Sequence, residues 1–266
     1  MQPAFHRERI ESYGQIMVES TLQMLQAWQN GQVRNLPADM GDLTLRIVCK
    51  CLFRRDVGGR SVVVGEGLNA VRHFNTRGRV LLPLAGKVPT PAYIRYRCAI
   101  QRLDAFIYAL TDSRRSQPTS SFDLHNLLLE GRDDQGESMS GQQLRDEVIT
   151  LILAGHETTA LALNWTLYLL SRKPKVEAKL LAEIGQVTGG NPPSVDKLPL
   201  LPYTAAVITE AQCLYPPAYA VPRQALEDVA IGGYLVPRGS SVVFSPWVIH
   251  RDERFFPEPH RFYPER

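Results

Sequence analysis

The sequence predicts a mainly α-helical fold with a small β region near its carboxyl end. Over the first two-thirds of the chain, apolar residues recur at helical spacing, and glycine and proline separate the helical segments. After Pro217, short runs of β-branched residues replace that pattern. No internal repeat and no dividing linker is present, so residues 1–266 are predicted to form a single domain.

Stop and start signals place the helices along the chain. Asn30-Gly31 ends the first helix, the capping box Ser140-Gly141-Gln142-Gln143 opens the longest, Lys173-Pro174 ends it, and Pro216-Pro217 ends the last. The predicted helices are 9–30, 37–52, 66–74, 92–111, 122–129, 144–170, 175–187 and 203–214. Gly58-Gly59 marks a break, and 82–91 and 131–138 are predicted loops.

A β-hairpin is predicted beyond the last helix. Its arms are 229–236 and 240–244, joined by a turn at Pro237-Arg238-Gly239. A coil rich in proline and aromatic residues, 255–266, follows the hairpin.

Composition and charge exclude several classes of protein. The sequence is 44% hydrophobic and 21% charged, with a net charge of +3, so nucleic acid is not an expected partner. The four cysteines (Cys49, Cys51, Cys98 and Cys213) are predicted to be free thiols in a reducing compartment. Residues 1–10 lack the apolar core of a signal peptide, which predicts a cytoplasmic protein if Met1 is the true start.

The hexapeptide A-G-H-E-T-T, residues 154–159, stands inside the longest predicted helix. A glycine inside a helix costs about 1 kcal/mol relative to alanine, and a buried carboxylate costs more unless it is paired. Gly155 would let a bulky group approach the backbone, and Thr158 lies one turn beyond Ala154. A hydroxyl and an acid beside such a gap suit proton delivery to a bound ligand. The alternative is a buried helix with a small-residue packing contact.

Three other interpretations of the motifs are excluded. A zinc-protease motif starting at His156 would require histidine where Ala160 stands. A kinase catalytic loop starting at His250 would require asparagine where Pro257 stands. A membrane span over 148–170 would place an acid near its middle, at a cost of about 2.5 to 3.5 kcal/mol.

Further motifs follow the hexapeptide in a fixed order. Glu210 begins a segment that continues into Leu214-Tyr215-Pro216-Pro217. The later motifs are Val221-Pro222-Arg223, Ile231-Gly232-Gly233-Tyr234, His250-Arg251-Asp252, Phe256-Pro257 and Pro264-Glu265-Arg266. Together with 154–159, this series resembles the cytochrome P-450 family, the haem-thiolate monooxygenases. The resemblance is dense from Leu144 onward and looser before it, and it implies the helical cytochrome P-450 fold.

The sequence departs from the family pattern in ways that affect function. The family's axial cysteine lies in a loop after the P-E-R motif, and its amino-terminal β-rich region precedes the segment matched here. The fold is therefore expected to be incomplete, with no metal ligand in this chain. Stable haem (heme) iron binding and activity are not expected of the chain as given. Cys213 also replaces the arginine of the family's E-x-x-R pair, which leaves Arg266 as the remaining partner for Glu210.

The resemblance assigns roles to individual residues. Thr158 and Glu157 would be catalytic, because the family's threonine hydrogen-bonds dioxygen and its acid relays protons. Ala154 and Gly155 would leave room over the haem, and Arg223 would meet a propionate. Glu210 and Arg266 would be structural.

Each role has a plainer alternative. Thr158 could bond back to the helix carbonyl at position 154, Glu157 could form a structural ion pair, and Arg223 could pair with Glu227. His156 is predicted to be a packing or hydrogen-bonding residue.

The implied function is a haem-dependent monooxygenase that inserts one oxygen atom of O2 into an apolar small-molecule substrate. Its electrons would come from a ferredoxin or an NAD(P)H-dependent reductase. The alternative is a haem-free, non-catalytic remnant or binding protein.

Overall fold

The computed structural model of the chain describes residues 7–53, 64–67, 70, 90–116, 128–129, 131–132 and 135–266. Helices dominate this part of the chain and include α1 (Arg7–Gln26), α2 (Leu36–Phe53), α3 (Pro91–Ser116), α4 (Gly141–Ser171), α5 (Pro174–Thr188), α6 (Pro202–Leu214) and the short α7 (Pro246–Ile249). A 3₁₀ helix, Val195–Leu200, precedes α6. The strands are β1 (Val221–Gln224), β2 (Val229–Ile231), β3 (Tyr234–Val236) and β4 (Ser241–Phe244). The predicted mainly α-helical fold with a small β region is confirmed.

The helix boundaries agree with the sequence signals, with two clear differences. Helix α3 continues to Ser116, five residues beyond its predicted end at position 111. Helix α1 ends at Gln26 rather than at Asn30. The Met24 and Leu25 carbonyls accept hydrogen bonds from the amides three residues later, those of Ala27 and Trp28, which form a turn instead of a further helical turn. The Gly58-Gly59 break, and most of the predicted helices 66–74 and 122–129 and of the loop 82–91, lie outside the described residues.

The chain divides into two compact units, Met1–Glu157 and Thr158–Arg266. In the first unit, α1 packs against α2, and α2, α3 and the start of α4 share one apolar core. The fully or almost fully buried members of that core are Leu45, Cys49, Leu52, Val64, Leu103, Phe106, Ile107, Leu128, Leu144, Val148 and Ile152. At its edge, Arg145 Nε donates to Asp104 Oδ1 at 2.7 Å, which ties α4 to α3.

The second unit has its own core between α4, α5, α6 and the terminal coil. Its buried members are Leu169, Leu170, Leu180, Val207, Ala211, Leu214 and Phe262. The Glu183 carboxylate of α5 accepts hydrogen bonds from the backbone amides of Tyr203 and Thr204, at 2.7 and 2.8 Å. These amides belong to the first turn of α6, where backbone donors lack partners within the helix. Glu183 therefore caps α6 from a neighbouring helix.

The capping box predicted for the longest helix is present at the start of α4. The Gln143 amide donates to Ser140 Oγ at 3.2 Å, and the Ser140 amide donates to Gln143 Oε1 at 2.9 Å. These reciprocal bonds satisfy donors that the first helical turn leaves free. In the described ranges, neither α4 nor any other helix combines the length and the apolar character needed to cross a membrane.

The predicted strand pairing is wrong. Strand β2 pairs with β3 through a two-residue turn at Gly232-Gly233, and β4 pairs antiparallel with β1 rather than with the 229–236 arm. Both turn glycines have positive φ, 59° and 86°, which suits a tight hairpin turn between right-twisted strands. The Pro237-Arg238-Gly239 turn therefore leads the chain out of the β2–β3 hairpin. Strand β4 then pairs with β1, which precedes the hairpin in the sequence.

A close helix–helix contact lies in the first unit where α4 meets α2. A Cβ atom added at Gly155 would lie 2.9 Å from Val48 Cγ2, which is shorter than an ordinary carbon–carbon contact. Valine is branched at Cβ and has few rotamers, so the Val48 side chain cannot easily move to relieve the clash. Gly155 thus allows the backbone of α4 to approach the Val48 side chain.

We expect Gly155→Ala to lower the free energy of unfolding by roughly 1 kcal/mol. Overpacking costs about 1 to 3 kcal/mol, and the better helix propensity of alanine returns about 1 kcal/mol. Chemical denaturation measures the difference. The matched control is Gly185→Ala in α5, where nothing lies within 4 Å of an added Cβ; this change should raise stability by roughly 0.5 to 1 kcal/mol.

The Val48→Ala background identifies the contact responsible. There, Gly155→Ala should no longer destabilise the protein. If Gly155→Ala is as stabilising as Gly185→Ala in the unchanged background, Val48 does not constrain this position.

Candidate functional site

One face of α4 carries the residues proposed from the hexapeptide. Ala154 and Thr158 are both exposed, whereas Gly155 and Glu157 are partly buried. Ala154 and Thr158 are four residues apart, so their side chains lie one above the other on the helix. This face presents a methyl group and a hydroxyl group, with a carboxylate at its edge.

The same face continues toward the carboxyl end of α4 with apolar side chains. Leu161 is 38% exposed and Trp165 is 36% exposed. Leu161 lies three residues after Thr158, and Trp165 lies four residues after Leu161. Trp165 stacks on Tyr215, with ring centroids 3.9 Å apart and ring planes 6° apart. The indole is thereby fixed in orientation while part of it remains accessible.

Gly155 has a packing explanation in the structure. The side on which its Cβ would stand is taken by Val48 of α2. This contact supports the small-residue packing alternative for the glycine, and a role beside a cofactor stays a prediction. Ala154 is the small residue of the pair that is exposed.

His156 binds within the first unit. Its Nδ1 lies 3.0 Å from Thr44 Oγ1, and the Thr44 hydroxyl also donates to the Met40 carbonyl at 2.9 Å. The tautomer of His156 determines which of the two groups is the donor in this hydrogen bond. His156 is therefore a hydrogen-bonding residue that links α4 to α2, in agreement with its interpretation from sequence.

Arg223 lies on β1 with its side chain exposed. Its Nη1 donates to the Pro222 carbonyl at 2.9 Å. Among the described residues, which include both side chains, no ion pair joins Arg223 to Glu227. The guanidinium thus keeps most of its donors available for an anionic group, which is what a propionate contact requires.

The carboxylate of Glu210 is buried on α6, with its side chain 6% exposed. Arg266 Nη2 lies 3.2 Å from Glu210 Oε1, and the Tyr263 amide donates to the same oxygen at 3.0 Å. The Arg266 guanidinium also donates to backbone carbonyls of the terminal coil, at Pro257, Glu258 and Arg261. The Arg266 guanidinium thus compensates the buried charge of Glu210 and also stabilises the terminal coil to which Arg266 belongs.

Cys213 occupies the position one turn after Glu210. Burial, and then the negative charge of Glu210, raise the pKa of the Cys213 thiol, while Arg266 lowers it. Burial also raises the pKa of the Cys49 thiol to about 12, with the neighbouring Cys51 adding to the shift. Both thiols are therefore protonated at neutral pH, whereas a thiolate is the form that ligates a metal.

The sequence interpretation missed two contacts at the carboxyl end of α6. His250 Nδ1 lies 3.1 Å from the Cys213 carbonyl oxygen, and Arg251 Nη2 donates to the Leu214 carbonyl. Helix α6 has no basic residue in its last turn, so carbonyls that lack helical partners are satisfied from elsewhere. The lack of a basic residue in the last turn of α6 could have indicated that its carbonyls need partners from elsewhere in the chain. It could not have identified His250 and Arg251 as those partners.

We expect Arg266→Ala to lower the free energy of unfolding by roughly 2 to 3 kcal/mol, because it leaves the buried Glu210 charge unpaired. Urea denaturation measures the loss. Arg261→Ala is the matched control, since that arginine pairs with Glu258 on the surface, where a pair contributes no more than about 1 kcal/mol. Equal effects of the two changes would show that Glu210 does not depend on Arg266.

Known proteins from two Streptomyces species are similar to this chain in sequence. Cyclooctatin synthase from Streptomyces melanosporofaciens is 36% identical over 270 residues, covering 100% of this chain and 59% of that protein. Pentalenene oxygenase from Streptomyces avermitilis is 34% identical over 267 residues, covering 100% of this chain and 60% of that protein. The chain therefore spans less than two-thirds of the length of these relatives.

A solved structure, retinoic acid bound cyanobacterial CYP120A1, has the same fold. The TM-score is 0.85 at 23% identity, over 99% of this chain and 58% of that one. The family model for cytochrome P450 matches residues 1–266. The family resemblance drawn from the ordered motifs is thus confirmed, and the chain belongs to the cytochrome P450 family.

Proposed function

We propose that this chain takes part in haem-dependent monooxygenation, in which one oxygen atom of O2 is inserted into an apolar organic substrate. The observation that carries the proposal is the exposed Ala154–Thr158 face of α4 with Glu157 at its edge. Family membership and the names of relatives support it, since these include pentalenene oxygenase and cyclooctat-9-en-7-ol 5-monooxygenase.

Haem iron is the cofactor that the family implies, and it would supply oxygen binding and electron transfer when bound. The exposed Ala154 and Thr158 fit a flat group above the helix, and the free donors of Arg223 fit a carboxylate. The cysteines fit less well, because the thiols of Cys49 and Cys213 have raised pKa values. We therefore assign the open-face and carboxylate contacts to this chain and assign no axial ligand within it.

Thr158 and Glu157 would handle protons at this face. The Thr158 hydroxyl can hold a proton toward a ligand atom in front of the helix and accept a replacement from a carboxylic acid. Glu157 is the adjacent residue and is partly buried, so it would reload the hydroxyl without being fully open to water. Proton transfer by positioned groups of this kind contributes about 10² to 10⁴ in rate.

Leu161 and Trp165 would contact the substrate. Both extend the exposed face beyond Thr158 with apolar surface, which would exclude water and favour an apolar molecule. The electron donor would be a ferredoxin or an NAD(P)H-dependent reductase, as is usual in the family.

A second candidate function is a haem-free binding protein. It is favoured by Cys213, which stands where the family's helix supplies an arginine, and by the raised pKa values of the Cys49 and Cys213 thiols, which keep them protonated at neutral pH. Haem binding separates the two candidates.

We expect Thr158→Ala to uncouple electron consumption from product formation. The test uses a chimera in which residues 1–266 replace the matching segment of a full-length cytochrome P450 relative. Product formed per electron should fall roughly tenfold, because proton delivery is mistimed, and the missing electrons should appear as peroxide or water. Thr159→Ala is the matched control, since it removes an exposed hydroxyl from the next position around the helix. Unchanged coupling in Thr158→Ala would make Thr158 a structural residue.

The chain alone, mixed with haem, reduced and exposed to carbon monoxide, should lack the red-shifted Soret band of thiolate-ligated iron. The reason is that Cys49 is buried with a pKa of about 12 and the Cys213 thiol is also held protonated. Absorption spectroscopy makes the measurement. Appearance of the band, and its loss on changing one of Cys49, Cys51, Cys98 or Cys213 to serine, would identify an unexpected ligand.

A further inference from the structure

Two neighbouring residues of the terminal coil bind side chains of α5 and α6. Arg266 pairs with Glu210 of α6. Glu265 Oε1 accepts from Lys179 Nζ of α5 at 2.7 Å and from the Tyr203 hydroxyl of α6 at 3.2 Å. The Lys179 ammonium also lies 4.2 Å from the centroid of the Tyr203 ring. Glu265 is therefore held by a lysine and a tyrosine that also contact each other.

The Glu210 carboxylate depends on a group outside its own helix. The residue one turn later is Cys213, and the last turn of α6 contains no basic residue. Among the described residues, Arg266 supplies the ion pair to this buried carboxylate. Arg266 reaches it from a coil, which by itself holds a side chain less firmly than a helix does.

We infer that Lys179 and Tyr203 are positioning residues for Arg266. By fixing Glu265, they hold the next residue along the chain so that its guanidinium stays on Glu210. The coil thus supplies, through two adjacent residues, the cation that α6 lacks at position 213. This inference concerns the folded chain itself and does not depend on the proposed monooxygenase function.

Cys213 provides a readout of where Arg266 stands. Its thiol is half-buried, and the charges of Glu210 and Arg266 shift its pKa in opposite directions. His250 contacts the Cys213 carbonyl oxygen rather than the thiol. Displacement of Arg266 leaves the Glu210 anion uncompensated, so the pKa of Cys213 should rise.

The experiment measures the rate of Cys213 alkylation by iodoacetamide against pH, with mass spectrometry of the Cys213 peptide from the full chain. Lys179→Met and Glu265→Gln should each raise the pH midpoint by roughly 0.5 to 1 unit. Lys175→Met is the matched control: it removes a lysine one turn earlier on α5 and should leave the midpoint unchanged. Tyr203→Phe, which removes one hydroxyl, should raise the midpoint by a smaller amount.

The two main variants remove opposite charges, which separates positioning from direct electrostatics. Loss of an anion alone would lower the midpoint in Glu265→Gln, and that result would overturn the inference. Equal midpoints in Lys179→Met and Lys175→Met would overturn it as well. In an Arg266→Ala background, the midpoint should already be high and Lys179→Met should add nothing.

Unfolding cannot imitate the expected result. The folded pKa of Cys213 lies above its ordinary value because of burial, so a variant that unfolds would show a lower midpoint. If the midpoint falls or stays constant in both Lys179→Met and Tyr203→Phe, Arg266 is positioned without them.

Discussion

A buried carboxylate without a cation on its own helix constrains the second unit of this protein. Removing an ionised group from water costs several kcal/mol unless a partner and hydrogen bonds replace the lost solvation. Glu210 receives both from the terminal coil, because Arg266 supplies charge and the Tyr263 amide supplies a further donor. The same guanidinium binds carbonyls of residues 257, 258 and 261, so the shape of the coil and the charge balance of α6 depend on one side chain.

The first unit is constrained by close packing between α4 and α2. Val48 fills the space beside Gly155, and the hydrogen bond between His156 and Thr44 follows at the next residue of α4. Together they fix the rotation of α4 about its own axis within this unit. That rotation determines which side chains of this part of α4 remain exposed, and Ala154 is one of them. Gly155 therefore contributes to the candidate site through packing, and the open face belongs to its neighbours.

Features encoded by neighbouring residues were predictable from the sequence. The capping box at Ser140 and Gln143 involves residues three apart and forms as predicted, and the ordered motifs identified the family. The strand pairing was not predictable in the same way, because β4 could meet either β1 or β3 and local propensity does not choose between them. The cysteine at 213 signalled a missing cation, and Arg266 was the candidate named from the sequence. The contacts of Lys179 and Tyr203 with Glu265 join residues that are 86 and 62 positions apart in the sequence. No spacing rule identifies such pairs.

Helix α6 draws its stabilising partners from distant parts of the sequence. Its first turn is capped by a carboxylate 20 residues away, its last carbonyls by side chains 37 residues away, and its buried acid by an arginine 56 residues away. A helix of 13 residues is marginal by itself in water, and closing long loops slows the formation of the contacts that depend on them. During folding, α5 can therefore supply the amino-terminal cap early, whereas the final turn of α6 gains its partners only after residues 250–266 have folded back onto it. The segment that carries Glu210 should thus be among the last parts of the second unit to become protected from hydrogen exchange.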